Sequence, residues 1–171
     1  MTPDNNKNPN TAVLLVVLVD AAGVSVHPRI PRELALRLRA VLEKRSRALA
    51  AAFGEHMVCY DSAHDAARAA AALQDALDDA LPQYPDLAGM CSRAVIELWP
   101  ESALDGAALG GMRELLARAS GHGVLLTEAA RAQLDAATAA AAQPLPAGTE
   151  KSAKVYELDL RVNPITYREA T

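Results

Sequence analysis

An unbroken run of eight apolar residues, Ala12-Val13-Leu14-Leu15-Val16-Val17-Leu18-Val19, constrains the fold more than any other feature of this chain. It has no polar alternation and is rich in valine, which suits a strand covered on both faces of a sheet. A helix that crosses a bilayer needs roughly twenty apolar residues, so the run is too short for that role. The single Lys7 before it does not make the basic start of a secretory signal. A strand buried on both sides requires helices on both sides, so the expected class is a layered α/β domain.

The remaining pattern supplies those helices. Pro31 suits a first helical turn. Beyond it Leu34, Leu38, Val41, Leu42, Leu49 and Phe53 recur at helical spacing, predicting one long amphipathic helix with Gly54 past its end. Residues 57–60 read as a short strand. Ser62 and Asp65 open an alanine-rich helix that runs to about residue 81. Residues 94–98 read as a strand. Gly110-Gly111 precedes a further helix, and Gly121-His122-Gly123 marks a turn. Val124-Leu125-Leu126 is a strand, and Thr127 caps a helix over 128–137. Residues 138–153 read as a loop, and 155–158 as a last alternating strand. The order β-α-β-α-β-α-β-α-β suits a ferredoxin-like sheet flanked by helices (α/β, or α+β) better than a six-stranded doubly wound sheet. The expected domain spans 12–160, after a disordered polar tail (1–11) and before a tail of undetermined structure (161–171). Roughly a fifth of the residues are alanine and only 4% are aromatic. The core is therefore expected to be Leu, Val and Ala, with helices in close approach.

Cys59 and Cys91 are not in a CxxC pair and form neither a disulfide framework nor a zinc site, which fits a reduced, cytoplasmic protein. His27, His56, His64 and His122 lack metal-ligand spacing. No Walker loop, HExxH or G-x-S-x-G elbow is present. The net charge of −4 hides an asymmetry. Between residues 28 and 49, Arg29, Arg32, Arg37, Arg39, Lys44, Arg45 and Arg47 face only Glu33 and Glu43. That surface is either a plain solvated face or an interface for an anionic partner, with Arg32, Arg39 and Lys44 exposed in both cases. Nucleic acid is disfavoured, because no aromatic or RNA-binding signature accompanies the charges.

Four segments, in order, resemble the catalytic domain of the adenylate and guanylate cyclase family. Val16-Val17-Leu18-Val19-Asp20 looks like its first strand, which ends on a metal-binding aspartate. Tyr60-Asp61-Ser62 through Leu73-Gln74 looks like its segment in which a strand leads into a "D-A-x-R-A-A-x-x-x-Q" helix. The stretch 106–129 resembles its helix, turn, strand and "S-E-A-T" helix start, and Lys154-Val155-Tyr156-Glu157-Leu158 its closing "VYEL" strand. The resemblance implies a ferredoxin-like sheet and a head-to-tail dimer with sites between subunits. The family's reaction uses two aspartates to hold two divalent metals, a lysine and a polar partner to recognise the base, and an asparagine and an arginine to stabilise the transition state.

Carried over by position, only Asp20 matches. Gly54-Glu55-His56 stands nearest to the hairpin that bears the second aspartate, Ala51 at the lysine position, Gly110 at the asparagine position and Glu114 at the arginine position. Leu98-Trp99-Pro100 replaces the glycines that follow the third strand. The reading is a catalytically inactive cyclase-homology domain, without a cofactor, acting as a regulatory or protein-interaction module. It would associate as a homodimer, or as a heterodimer with a related domain. Asp20 is either a vestigial metal ligand or a loop residue. The alternatives are a cyclase active only with a complementing partner and a nucleotide-binding regulatory domain.

Overall fold

In the computed structural model the described residues are 10–26, 29–52, 54–100, 106–146 and 154–161. Strand β1 (Asn10–Val19) holds the apolar run and is central to a seven-stranded sheet. Helix α1 (Arg32–Glu43) leads to the hairpin β2 (Ala48–Ala52) and β3 (Glu55–Tyr60). Helix α2 (Ala63–Ala80) and two 3-10 turns lead to β4 (Cys91–Pro100). Then follow α3 (Gly106–Leu116), β5 (Gly123–Thr127), α4 (Glu128–Ala132), α5 (Ala136–Ala141), β6 (Gln143–Pro144) and β7 (Val155–Asp159).

The strand order is β2-β3-β1-β4-β5-β7-β6. β1 pairs antiparallel with β3 and with β4, and β2 pairs antiparallel with β3. The first four strands with α1 and α2 are thus two interleaved split βαβ units, the ferredoxin-like arrangement expected. β5 joins β4 in parallel across the α3 connection, and β7 and β6 extend that side.

Alternation along β1 divides the core. Ala12, Leu14, Val16 and Leu18 face Leu34, Leu38 and Leu42 of α1 and the alanine-rich side of α2. Val13 and Leu15 face the other way, toward Val95, Leu125 and Met112 and Leu116 of α3. Small side chains at Ala63, Ala66, Ala67 and Ala70 let α2 lie close to the sheet. The hydroxyl of Ser62 accepts the amide of Asp65 at the start of α2, as its sequence predicts. Tyr60, fully buried, donates its hydroxyl to the carbonyl of Leu42 at 2.6 Å. That bond satisfies one of the carbonyls that the end of α1 leaves open.

Several expectations are corrected. The long helix to residue 53 stops at Glu43. Arg45 takes a left-handed φ of 63°, and the amide and hydroxyl of Ser46 close back on the carbonyl of Glu43. The alanines after it form an edge strand, because pairing with β3 overrides their helical propensity. Gly54, at φ 84°, serves the hairpin turn and does not cap a helix. Pro31 is the cap residue before α1. Gly110 and Gly111 lie inside α3, and Asp135 starts a separate helix where a continuous one and then a loop are expected. The first strand begins two residues earlier than the expected boundary, with Thr11 buried. Residues 1–9 and 162–171 of the expected tails, together with His27 and Phe53, lie outside the described residues. Among the described residues no helix is long and apolar enough to cross a membrane.

Candidate functional site

The antiparallel register of β1 and β3 brings the two candidate metal positions to one end of the sheet. Val17 faces Glu55, the first residue of β3, and Asp20 follows the end of β1. The hairpin that would bear the second carboxylate is present, formed by β2 and β3 around Gly54.

Asp20 is engaged by its own loop. One carboxylate oxygen accepts the amides of Ala22 at 2.9 Å and Val24 at 3.0 Å. The other accepts Arg29 Nη2 at 2.9 Å. The Val24 amide holds this carboxyl below the usual carboxylate range; partial desolvation opposes that effect, and Arg29 adds to it. The loop turns at Gly23, at φ 80°, where an added Cβ would stand 2.9 Å from the Arg93 guanidinium.

Glu55 is engaged from the other side of the sheet. Arg113, from α3, sets Nε 3.1 Å and 2.8 Å from the two oxygens of Glu55 and Nη2 2.8 Å from one of them. Each of the two carboxylates therefore has a guanidinium against it. Two-metal chemistry requires carboxylates directed at the cations, and this donor arrangement does not fit that demand. Among the described residues no group of three His, Cys, Asp or Glu side chains is placed to hold a metal ion.

The remaining positions carried over from the resemblance offer no recognition chemistry. Ala51 is exposed on β2, Gly110 has open space around its α-carbon and Glu114 is exposed on α3. Trp99 lies at the far end of β4, opposite Thr11, and packs at the edge of the α3-side cluster. Cys59 and Cys91 are both buried and neither is in a disulfide, and burial pushes the Cys91 thiol up.

The basic residues separate into two places. Arg32 and Arg39 are exposed on α1 and line a groove of about 320 Å³ between that helix and the hairpin. Lys44, beyond the end of α1, is exposed beside α2 instead. Leu34, Leu38 and Leu42 are buried, as the helical spacing predicts, while Leu36 is exposed.

Gln74, the last residue of the α2 motif, makes structural contacts. It is buried, accepts the amide and hydroxyl of Ser92 and donates to Asp78, tying α2 to the start of β4. Arg113 carries no sequence signal for its contact with Glu55, 58 residues away along the chain, and Arg29 reaches Asp20 only through the shape of the loop between them.

No family model matches the sequence, and no curated protein does. Solved structures do match. An adenylate/guanylate cyclase/hydrolase from Silicibacter pomeroyi superposes with a TM-score of 0.62 at 13% identity, covering 87% of this chain and 95% of that one. The adenylyl cyclase CyaB from P. aeruginosa gives 0.64 at 8% identity, covering 86% and 92%. An adenylate cyclase from Trypanosoma brucei in its monomeric state gives 0.62 at 14% identity, covering 92% and 93%. Similarity at such low identity is a similarity of fold. The chain has the fold of the adenylate and guanylate cyclase catalytic domains.

Proposed function

We propose that this chain is a catalytically silent cyclase-homology domain that works as a regulatory or protein-interaction module. One observation carries the reading: Asp20 and Glu55, at the two positions that would hold metals, are each held by an arginine. On this reading Asp20 is a vestigial metal ligand that now serves its own loop. Ala51 cannot recognise a base, and Glu114 sets negative charge where a phosphoryl group would need positive charge. Removing a single transition-state donor costs roughly a hundredfold or more in rate, and several are missing here.

A second reading keeps some support, because the hairpin that carries Glu55 is retained and the matching structures are cyclases. In it the chain is active only when a related partner supplies the missing groups. Under either reading we expect a homodimer or a heterodimer with a related domain. Val17, Met57, Trp99, Leu109 and Leu115 are only partly buried around the α3-side cluster, which leaves apolar surface for a partner. Two buried cysteines outside any disulfide fit a reducing, cytoplasmic compartment.

The test is turnover. The purified chain is incubated with ATP or GTP and magnesium or manganese, and cyclic nucleotide is quantified. We expect none above a protein-free blank. Turnover that disappears in Asp20→Ala would overturn the silent reading.

A further inference from the structure

The groove between α1 and the hairpin has no part in the proposed function, and its chemistry is mixed. Leu18, Ile30 and Leu38 contribute an apolar floor. Arg32 and Arg39 line the α1 side, with Leu36 between them, 56% exposed despite its size. Gly54 and Glu55 close the hairpin side. Its volume of about 320 Å³ is at the small end of the range for ligand clefts, roughly 300–1,000 Å³. That is room for one or two anchoring side chains.

Charge selects the occupant. Arg39 holds Glu43 at 2.8 Å, but the pair is an exposed i,i+4 contact that a competing carboxylate can displace at little cost. Glu55 is already neutralised by Arg113. The groove therefore presents positive charge around an apolar floor, within a chain whose net charge is −4. A nucleic acid backbone needs a longer basic track than these two arginines, and among the described lining residues His56 alone carries a ring that could stack on a base.

We propose that this groove docks an acidic peptide segment of a partner protein. An apolar side chain would sit on Leu18, Ile30 and Leu38, and carboxylates would meet Arg32 and Arg39. The inference rests on the module reading and names the chemistry of its partner. It uses the helix-in-groove mode, in which apolar anchors supply the affinity and rim charges supply orientation and rate.

The test pans the full chain against a phage library of random peptides about four helical turns long. Selected peptides are then synthesised and titrated against the parent, Arg32→Glu/Arg39→Glu and Ala35→Trp. Ala35 is exposed and lines the groove between Arg32 and Arg39, so tryptophan there fills the groove while both positive charges are kept. We expect the library to yield acidic sequences with one or two large apolar residues. Affinity should fall at least about tenfold in each variant, and the parent's binding should weaken as salt rises. Thermal melts establish that both variants are folded.

Peptides that bind both variants as well as the parent would overturn the groove assignment and leave the module reading standing. Failure to enrich any acidic apolar sequence would overturn the peptide assignment. So would decanoate or an oligonucleotide binding in a variant-sensitive way while no peptide does. Cyclic nucleotide production, measured separately, would instead remove the module reading.

Discussion

Arg113 and Glu55 meet across the sheet end, a helix on one face holding the first residue of a hairpin strand, although 58 residues separate them in sequence. This pair joins α3 to β3 at the position where the resemblance would set a metal ligand. Both side chains are partly exposed, so the contact contributes little to stability. Arg113→Ala should leave the melting temperature nearly unchanged. It should also fail to produce cyclic nucleotide, because releasing Glu55 restores neither a base-recognising lysine nor a transition-state arginine. A variant that melts as the parent does but turns over ATP would show that the ion pair alone had silenced the site.

Asp20 and Asp135 give the protein a defined weakness toward acid. The Val24 amide chiefly lowers the folded pKa of Asp20, and the Thr138 amide and hydroxyl lower that of Asp135. A folded pKa below the unfolded value, about 3.9 for aspartate, gives stability that is full above that pH. It is lost as pH falls through the folded pKa. Melting temperature should therefore hold near neutrality and fall below about pH 4. Asp20→Asn and Asp135→Asn should each flatten that acid slope, and melts recorded from neutral to strongly acid pH would check it. An unchanged slope in both variants would assign the acid response elsewhere.

Tyr60 shows how a single hydroxyl stabilises a helix end. Its bond to the Leu42 carbonyl is buried, so Tyr60→Phe leaves an acceptor without water or partner. Such a group costs about 1–3 kcal/mol, measurable as a lower urea midpoint at constant slope. Burial also pushes the phenol ionisation well up, with Asp65 adding to it. The absorbance titration of Tyr60, isolated by difference against the phenylalanine variant, should therefore lie above the ordinary tyrosine range, near 10.

Gln74 makes a comparable prediction in the core. Its carbonyl accepts two bonds from Ser92 and its amide donates one to Asp78. Leucine there preserves bulk but abandons a buried amide and hydroxyl, for a cost of about 1–3 kcal/mol. Glutamate should be worse than leucine, since it would also bury a charge beside Ser92. Equilibrium unfolding of the two variants gives the order directly.

What the sequence disclosed follows from how local each signal is. The β1 run, the Ser62 and Thr127 caps and the leucine spacing of α1 depend on near neighbours, and each stands where the pattern sets it. Strand β2 is five residues of Ala-Leu-Ala-Ala-Ala, composition that favours helix, and only its pairing with β3 makes it a strand. The coincidence of Leu49 and Phe53 with the helical spacing then extended α1 on paper past its true end. At the site, Asp20 and Glu55 were legible because a strand end and a Gly-acid pair are local features. Arg113 was not, because contact with Glu55 requires α3 to cross the sheet, and no spacing within α3 encodes that meeting.

The β2–β3 hairpin turns at Gly54, and that position offers the last test. At φ 84° the backbone is in a region that side chains with a Cβ avoid at a cost of roughly 1–2 kcal/mol. Valine is β-branched and suffers most there, so Gly54→Val should strain the turn. β2 is an edge strand held only by β3, which makes the strain local. Amide hydrogen exchange should accelerate across β2 and β3 while β1 and α2 keep their protection. Because the hairpin is also one wall of the groove beside Arg32 and Arg39, peptide affinity should fall in step with that local opening. Uniform acceleration across the whole sheet would mean that the hairpin opens only with the rest of the fold.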